Sequence, residues 1–274
     1  MNARRAPDCF ADHDWNSRVF AVFETPDVEI VGIRLDSPAD VSAAVWQLLS
    51  RDEQRRAERF RYPQHRQQYV LTRAGLRRLL AERLHLPARA IEFVENSYGK
   101  PRLSPAHAPA TLEFNLSHSE NLAVYAFTRR HAVGVDIERI RQIPDAGDLA
   151  ERFFSPSEIE SIRSLPIEQR SLAFLTCWTR KEAFIKALGL GLSYPLDAFD
   201  VTIEPHIPAR ITRIEGRVSE LAHWRLHAFT PYPHYMAAVA YRAGGDAAWQ
   251  SSQAGTQLRT AHHEQGAPDS ALVH

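Results

Sequence analysis

Residues whose spacing could do chemistry gather in a few short segments. In Gly134-Val135-Asp136-Ile137-Glu138, a strand would send Asp136 and Glu138 out of one face while Val135 and Ile137 enter a core. Two carboxylates projecting together suit a hard cation such as Mg²⁺, which takes one or two carboxylates plus water and phosphate oxygens. The same alternation also describes an ordinary solvated strand face. Further on, Trp178, Glu182 and Lys186 fall at successive i, i+4 positions and share one face of a helix. They read either as a third carboxylate with a phosphate-binding cation, or as a Glu–Lys helix pair contributing about 0.2–0.5 kcal/mol beside a packing indole.

Three further segments carry polar chemistry. Phe114-Asn115-Leu116-Ser117-His118-Ser119 runs from apolar residues into hydroxyls and an imidazole, groups that bind phosphate or simply decorate a strand end. Tyr98-Gly99-Lys100-Pro101 is a tight turn displaying a lysine. Arg51, Arg55, Arg56 and Arg59 form either a solvated helix face or a phosphate-binding surface.

Positioning these groups requires strands and helices in a definite order. The β-branched run Val28 to Leu35 predicts a first strand, and Pro38 and Asp40 open a helix through Val45, Trp46, Leu48 and Leu49. Apolar residues at helical spacing from Gln67 to Leu86 predict a long helix, stopped before Pro87. Short strands are expected at Ile91 to Val94, Leu112 to Leu116 and Leu122 to Phe127. A second series starts with a strand at Val133 to Ile137. In Ser155-Pro156-Ser157-Glu158 the S-x-x-E spacing of a capping box and a proline at the first helical position mark a helix start. A long helix then runs from about Glu168 to Leu188, halted by Gly189 and Gly191, before strands at Phe199 to Ile203, Trp224 to Phe229 and Tyr235 to Tyr241. The two series share an order of elements but no visible residue-level repeat.

The expected class is therefore α+β, with a pseudo-twofold pair of subdomains, each packing helices on a small, mostly antiparallel sheet. The expected boundaries are an N-terminal extension over 1–20, a first subdomain over 21–132, a second subdomain carrying the metal site over 133–243, and a disordered, polar tail over 244–274. Lys plus Arg balance Asp plus Glu at 33 each, so no whole-chain field favours nucleic acid or membrane. Two cysteines, Cys9 and Cys177, exclude a disulfide framework and read as free thiols of a cytoplasmic protein. No apolar run reaches the ~20 residues of a membrane span.

In combination, YGKP, FNLSHS, GVDIE and WTRKEAFIK, in that order from about Ser50 to Tyr241, resemble the Sfp-type 4'-phosphopantetheinyl transferase superfamily. The resemblance implies coenzyme A as co-substrate between two subdomains and transfer of its phosphopantetheine arm to a serine of an apo acyl-carrier or peptidyl-carrier protein. It implies Mg²⁺ held by Asp136, Glu138 and Glu182, phosphate contacts from Lys186, Ser117 and His118, and Lys100 and Arg56 lining the same site. Glu182 is the first candidate for the base, with a metal-bound water as the other; Glu53 stands where some members carry a basic residue. A duplicated chain would be sufficient as a monomer. The rival readings are a metal-dependent phosphohydrolase and a noncatalytic coenzyme A or carrier-binding module.

Overall fold

The computed structural model describes residues 15, 17–36 and 41–243. The expectations for residues 1–14, for the helix opening at Pro38 and Asp40, and for the 244–274 tail lie outside the described residues. The first half contains β1 (Val19–Glu24), β2 (Val28–Arg34), α1 (Ala43–Trp46), α2 (Arg51–Glu58), α3 (Pro63–Leu84), β3 (Phe93–Glu95), β4 (Pro101–Leu103), β5 (Leu112–Ser119) and β6 (Leu122–Arg129). The second contains β7 (Val133–Arg139), α4 (Ala146–Phe153), α5 (Pro156–Ser164), α6 (Ile167–Leu188), β8 (Phe199–Val201), β9 (Ile211–Ile214), β10 (Trp224–Phe229) and β11 (Tyr235–Arg242).

All pairings are antiparallel, in sheets ordered β1-β2-β6-β5 and β10-β11-β7, with β3-β4 and β8-β9 as separate hairpins. Leaving β1 aside, each half orders its sheet as first, last, then penultimate strand: β2-β6-β5 and β7-β11-β10. Period-two alternation gives each sheet two apolar faces. One face of each meets the other sheet through Ile30, Val124, Val135, Ile137 and Val239. The outer faces pack on helices, Ile33 and Tyr125 against α3 in the first half, Ala238 and Ala240 against α6 in the second. The result is helix on sheet on sheet on helix, an α+β fold with a pseudo-twofold relation between its halves.

That relation extends to single residues, beyond the shared element order expected from sequence. Ser50 and Glu53 form a capping box at α2, as Ser155 and Glu158 do at α5. Both glutamates are buried and receive a cation from the long helix: Arg77 Nε lies 2.6 Å from Glu53 Oε2 and Lys181 Nζ 2.8 Å from Glu158 Oε2. Arg77 and Lys181 hold the same position in two helices of 22 residues. Each also donates to two carbonyls at the entrance to the following hairpin, Ala88 and Ile91 for Arg77, Leu196 and Phe199 for Lys181. Buried charges persist only when paired and fully hydrogen-bonded, and both sets meet that condition.

Two features near the N-terminus were not expected. Val19–Glu24 is a strand, hidden in the sequence by a bulge between Ala21 and Phe23 that breaks the two-residue period. Trp15, assigned to an extension, is buried in the first core.

Candidate active site

Three elements converge where the halves meet. β7 is the edge strand of its sheet and β5 the edge strand of the other. Along β5, Asn115, Ser117 and Ser119 share one face by alternation, and that face turns to β7. Val135 N–H donates to Asn115 Oδ1 (2.9 Å), Arg139 N–H donates to Ser119 Oγ (3.1 Å), and Ser117 Oγ donates to Asp136 Oδ1 (2.9 Å). Side chains thus stand in for the ladder partner an edge strand lacks. This accounts for the N-x-S-x-S spacing within FNLSHS.

The third element, α6, rests on β7 at unusually short range because residue 134 is glycine. A Cβ there would fall 2.2 Å from both Ala183 O and Ala187 N, a backbone collision no rotamer relieves. The close approach brings Lys186 Nζ to 2.6 Å from Asp136 Oδ1 and 3.1 Å from Ser117 Oγ. Ser117, Asp136 and Lys186 are therefore in mutual contact, each from a different element.

Glu138 and Glu182 complete the acidic group. Burial, reinforced by Asp136, pushes the Glu138 carboxyl up to about 7 although Arg141 lies 3.1 Å away. Burial, with Asp136 and Glu138 adding to it against the pull of Lys186, also pushes Glu182 up to about 7. Burial opposes the charge on Lys186, but Asp136, Glu182 and Glu138 outweigh it and raise its pKa. Three carboxylates thus face one ammonium, and the buried Asp136 Oδ2 has no hydrogen-bond partner. Among the described residues, no three or more Asp, Glu, His or Cys side chains form a metal cage by themselves. A buried orphan oxygen beside two carboxyls of raised pKa is what a cation bound partly by substrate oxygens would complete.

The remaining expected residues sit elsewhere. His118 lies between Ser117 and Ser119, so alternation sends its side chain to the opposite face of β5, the one on which Phe114 and Leu116 pack toward α3. Arg56 is exposed on α2, its guanidinium 5.6 Å from the Tyr69 ring. Lys100 is not displayed on its turn: Nζ donates to Val133 O (2.9 Å) and Ala187 O (3.4 Å). Burial lowers its pKa to about 8, against an upward pull from Glu113. Beside it, Asn96 Nδ2 donates to Gly189 O (2.7 Å), so the β3–β4 turn grips the C-terminal end of α6. Asn96, Asn115, Ser119 and Gly134 were not singled out from sequence. The period-two placement of Asn115 and Ser119 about Ser117 was the available signal for the last strand-to-strand contacts.

A small α+β fold duplicated about a buried acidic group between its halves marks a two-lobed enzyme class, and comparison with known proteins gives the family. The family model described as "4'-phosphopantetheinyl transferase superfamily" matches residues 132–240, and "4'-phosphopantetheinyl transferase, N-terminal" matches residues 37–130. The chain is 37% identical over 224 residues to 4'-phosphopantetheinyl transferase HetI of Nostoc sp., covering 82% of this chain and 90% of that protein. It is 30% identical over 181 residues to 4'-phosphopantetheinyl transferase Sfp of Bacillus subtilis, covering 64% and 77%. It is 31% identical over 176 residues to the L-aminoadipate-semialdehyde dehydrogenase-phosphopantetheinyl transferase of Mus musculus, covering 60% and 57%. The chain belongs to the 4'-phosphopantetheinyl transferase superfamily. No helix among the described residues is long and apolar enough to cross a membrane.

Proposed function

We propose that this transferase moves the phosphopantetheine arm of coenzyme A to a serine of an apo acyl-carrier or peptidyl-carrier protein, releasing adenosine 3',5'-bisphosphate, in a Mg²⁺-dependent reaction in the cytoplasm. The observation that carries the reading is the contact of Ser117, Asp136 and Lys186 beside the raised carboxyls of Glu138 and Glu182. Asp136, Glu138 and Glu182 would hold Mg²⁺, which supplies Lewis-acid stabilisation of pyrophosphate charge when bound. Asp136 Oδ2 is the atom most in need of that partner.

The chain's own groups then have defined tasks. The attacking serine must lose a proton as its oxygen bonds to the β-phosphorus of coenzyme A and the bond to the bridging oxygen breaks. Glu182, a buried carboxyl on α6 beside Asp136 and Glu138, is the residue we assign to take that proton. Lys186 is fixed by Asp136 and Ser117 and places a positive charge where phosphate oxygens gain negative charge. Ser117 offers the same oxygens a hydroxyl. Arg56, among Asp52, Arg55, Arg59 and Phe60 on an open basic groove, suits a more distant phosphate of the nucleotide. His118, on the face of β5 opposite Ser117, would meet a nucleotide phosphate from that side, and Lys100 lines the site through its hold on the end of α6. The two subdomains meet between residues 132 and 133, the first reaching back to Trp15 and β1 and the second running to 243, and one chain suffices without a second copy.

The test is intact-mass spectrometry of an apo acyl-carrier and an apo peptidyl-carrier protein, each incubated with this protein and coenzyme A with and without Mg²⁺. A gain of one phosphopantetheine only with metal is expected. Cleavage of coenzyme A without carrier labelling would replace the reading with a phosphohydrolase.

A further inference from the structure

The two halves finish their long helices differently. The sheets align through matching hydrogen bonds, Leu35 N–H to Asn121 O and Ile140 N–H to His234 O, each 2.8 Å. From that register Val28, at the start of β2, matches Val133, at the start of β7. The Arg77–Lys181 match pairs His85 with Gly189, and both cap their helices in the left-handed conformation. In the first half the backbone here is served from close by: Val28 O accepts Thr25 N–H (2.9 Å) from the β1–β2 turn, and Arg83 NH1 donates to Leu79 O (2.7 Å) of its own helix. In the second half it is served from across the molecule, Lys100 donating to Val133 O and Ala187 O and Asn96 to Gly189 O.

The crossing turn is built for that reach. Asn96 Oδ1 accepts the N–H groups of Tyr98 and Lys100 (each 2.9 Å), and Gly99 supplies a φ of +81°. The amide oxygen therefore shapes the turn, while its nitrogen is left to donate to α6. On the receiving side a Cβ at residue 189 would fall 3.1 Å from Asn96 Nδ2 and 3.3 Å from Lys100 Cδ, so glycine serves there both as helix cap and as seat for the turn. The base of the hairpin is held as well: Arg77 NH1 donates to Ile91 O (2.9 Å), and the guanidinium groups of Arg73 and Arg77 lie 5.0 and 5.1 Å from the Phe93 ring. The β3–β4 hairpin is thus a strut from α3 to α6. The matching hairpin of the second half, β8–β9, is anchored on its own long helix, Arg180 donating to Thr202 O.

What the strut holds adjoins the chemistry. Val133 precedes Gly134, where α6 rests on β7, and Ala187 follows Lys186, which meets Asp136. Asn115 holds Val135 N–H on the other side of Gly134. Glu113, on the face of β5 shared with Asn115, draws the Lys100 ammonium, yet Nζ turns to the two carbonyls and so ties strand to helix. We infer that Lys100 is a positioning residue for transfer: set in place by Asn96, it holds α6 against β7 so that Lys186 and Glu182 keep their places beside Asp136, rather than binding a phosphate of coenzyme A itself. The inference rests on the transferase reading and assigns the first half a part in the geometry of the second half's site.

Lys100→Met keeps the reach of the side chain and removes the donor. Steady-state transfer to an apo carrier with Mg²⁺ is expected to show kcat lowered about thirtyfold, as a displacement of the reacting groups by just under about 1 Å does, with KM for coenzyme A within about threefold of the parent. Lys100→Arg, which still donates to carbonyls, should return kcat to within about fivefold of the parent. Asn96→Asp keeps the oxygen that shapes the turn and loses the donor to Gly189; it should lower kcat about fivefold at nearly constant KM, and it decides the matter if Lys100→Met does not fold. A raised KM for coenzyme A at unchanged kcat would make Lys100 a ligand, and a lower urea midpoint at unchanged kcat would make it a structural tie. Either result overturns the inference and leaves the transferase intact; failure of the parent to label any carrier removes both.

Discussion

The two halves share a scaffold and differ in what the scaffold displays. Each has a capping-box glutamate, a buried cation on the long helix and a 3₁₀ turn whose carbonyls that cation binds. Yet the strand positions that carry Asp136 and Glu138 in β7 carry Val31 and Ile33 in β2, and the helix positions of Glu182 and Lys186 carry Arg78 and Glu82. In the first half, valine and isoleucine are buried against α3, with Arg78 stacked 4.8 Å from the Trp15 ring. The polar residues needed for folding were kept in both halves, and those able to do chemistry stand in one. The first half contributes to the site from its edge instead, through Ser117 and the β3–β4 turn. Burial of charge therefore has two uses here: fully satisfied pairs fix the helices, and an under-satisfied group marks the place where something else must bind.

The sharpest way to break this comparison is to remove the unbalanced charge. Asp136→Asn keeps the volume but takes the anion from Lys186 and Ser117, and should lower transfer by about a thousandfold, as loss of a key charge-stabilising group does. Carrier labelling by mass spectrometry, with circular dichroism to confirm the fold, reads the effect. Activity within tenfold of the parent would show that the contact of Ser117, Asp136 and Lys186 is structural, like the ion pair on Glu158.

The scaffold pairs should respond differently. Lys181→Met strands Glu158, which has no second ion-pair partner among the described residues, and is expected to cost about 3–5 kcal/mol by urea unfolding. Arg77→Met should cost less, because Arg73 NH2 still lies 2.7 Å from Glu53 Oε1. Equal losses would mean that the carbonyl contacts, common to both, carry the stabilisation. The double variant Lys181→Met with Glu158→Gln should recover part of the loss, since removing both charges spares the protein an unpaired buried ion.

Much of this arrangement is readable in the chain. Helix periodicity in α3 and α6, the Ser155 capping box and the strand alternation about Asp136 are local signals, and the structure has those elements where the residues place them. What the residues alone conceal is long-range. Ser50 and Glu53 form a capping box as legible as the second, but Glu53 drew attention as a missing basic residue rather than as the acid that Arg73 and Arg77 enclose. Lys100 follows a glycine in a turn, where exposure is the ordinary expectation, and only the packing of one half on the other buries it. His118 sits next to Ser117 in sequence and across the sheet from it in space, a consequence of strand geometry that adjacency hides.

At Gly134 the backbones of β7 and α6 approach too closely for a side chain, and this sharpens the comparison from the backbone side. Gly134→Ala must push α6 away from β7, because the added methyl meets Ala183 O and Ala187 N rather than a mobile side chain. A loss of about 1–3 kcal/mol in stability is expected, accompanied by a fall in kcat larger than any rise in KM for coenzyme A, since Lys186 and Glu182 move relative to Asp136. In the first half Gly75 has an analogous role on the helix, but its substitution should disturb packing at Ile33, Tyr125 and Trp15 and leave kcat near the parent value. If both glycine variants lose stability and kcat in the same proportion, the closeness of α6 to β7 has no special bearing on catalysis.

The smallest effect concerns protons. Glu138 and Glu182 are pushed up to about 7 from 4.5, so between those values the folded protein holds more protons than the unfolded chain. By linkage its stability must fall as pH rises through that window, the opposite of a salt-bridged carboxylate. A cation bound among these groups would offset their repulsion once they ionise, and would bind poorly while they are protonated. Mg²⁺ should therefore raise Tm by a few degrees at about pH 8, when present at roughly tenfold its Kd, and by almost nothing at about pH 5. The matching strand positions of the first half carry Val31 and Ile33, so Asp136→Asn should shrink the pH-8 gain while changes at Val31 or Ile33 leave it in place. An equal Mg²⁺ effect at both pH values, or one untouched by Asp136→Asn, would mean that the ion acts at exposed acids elsewhere and that the unpaired Asp136 oxygen waits for a different partner.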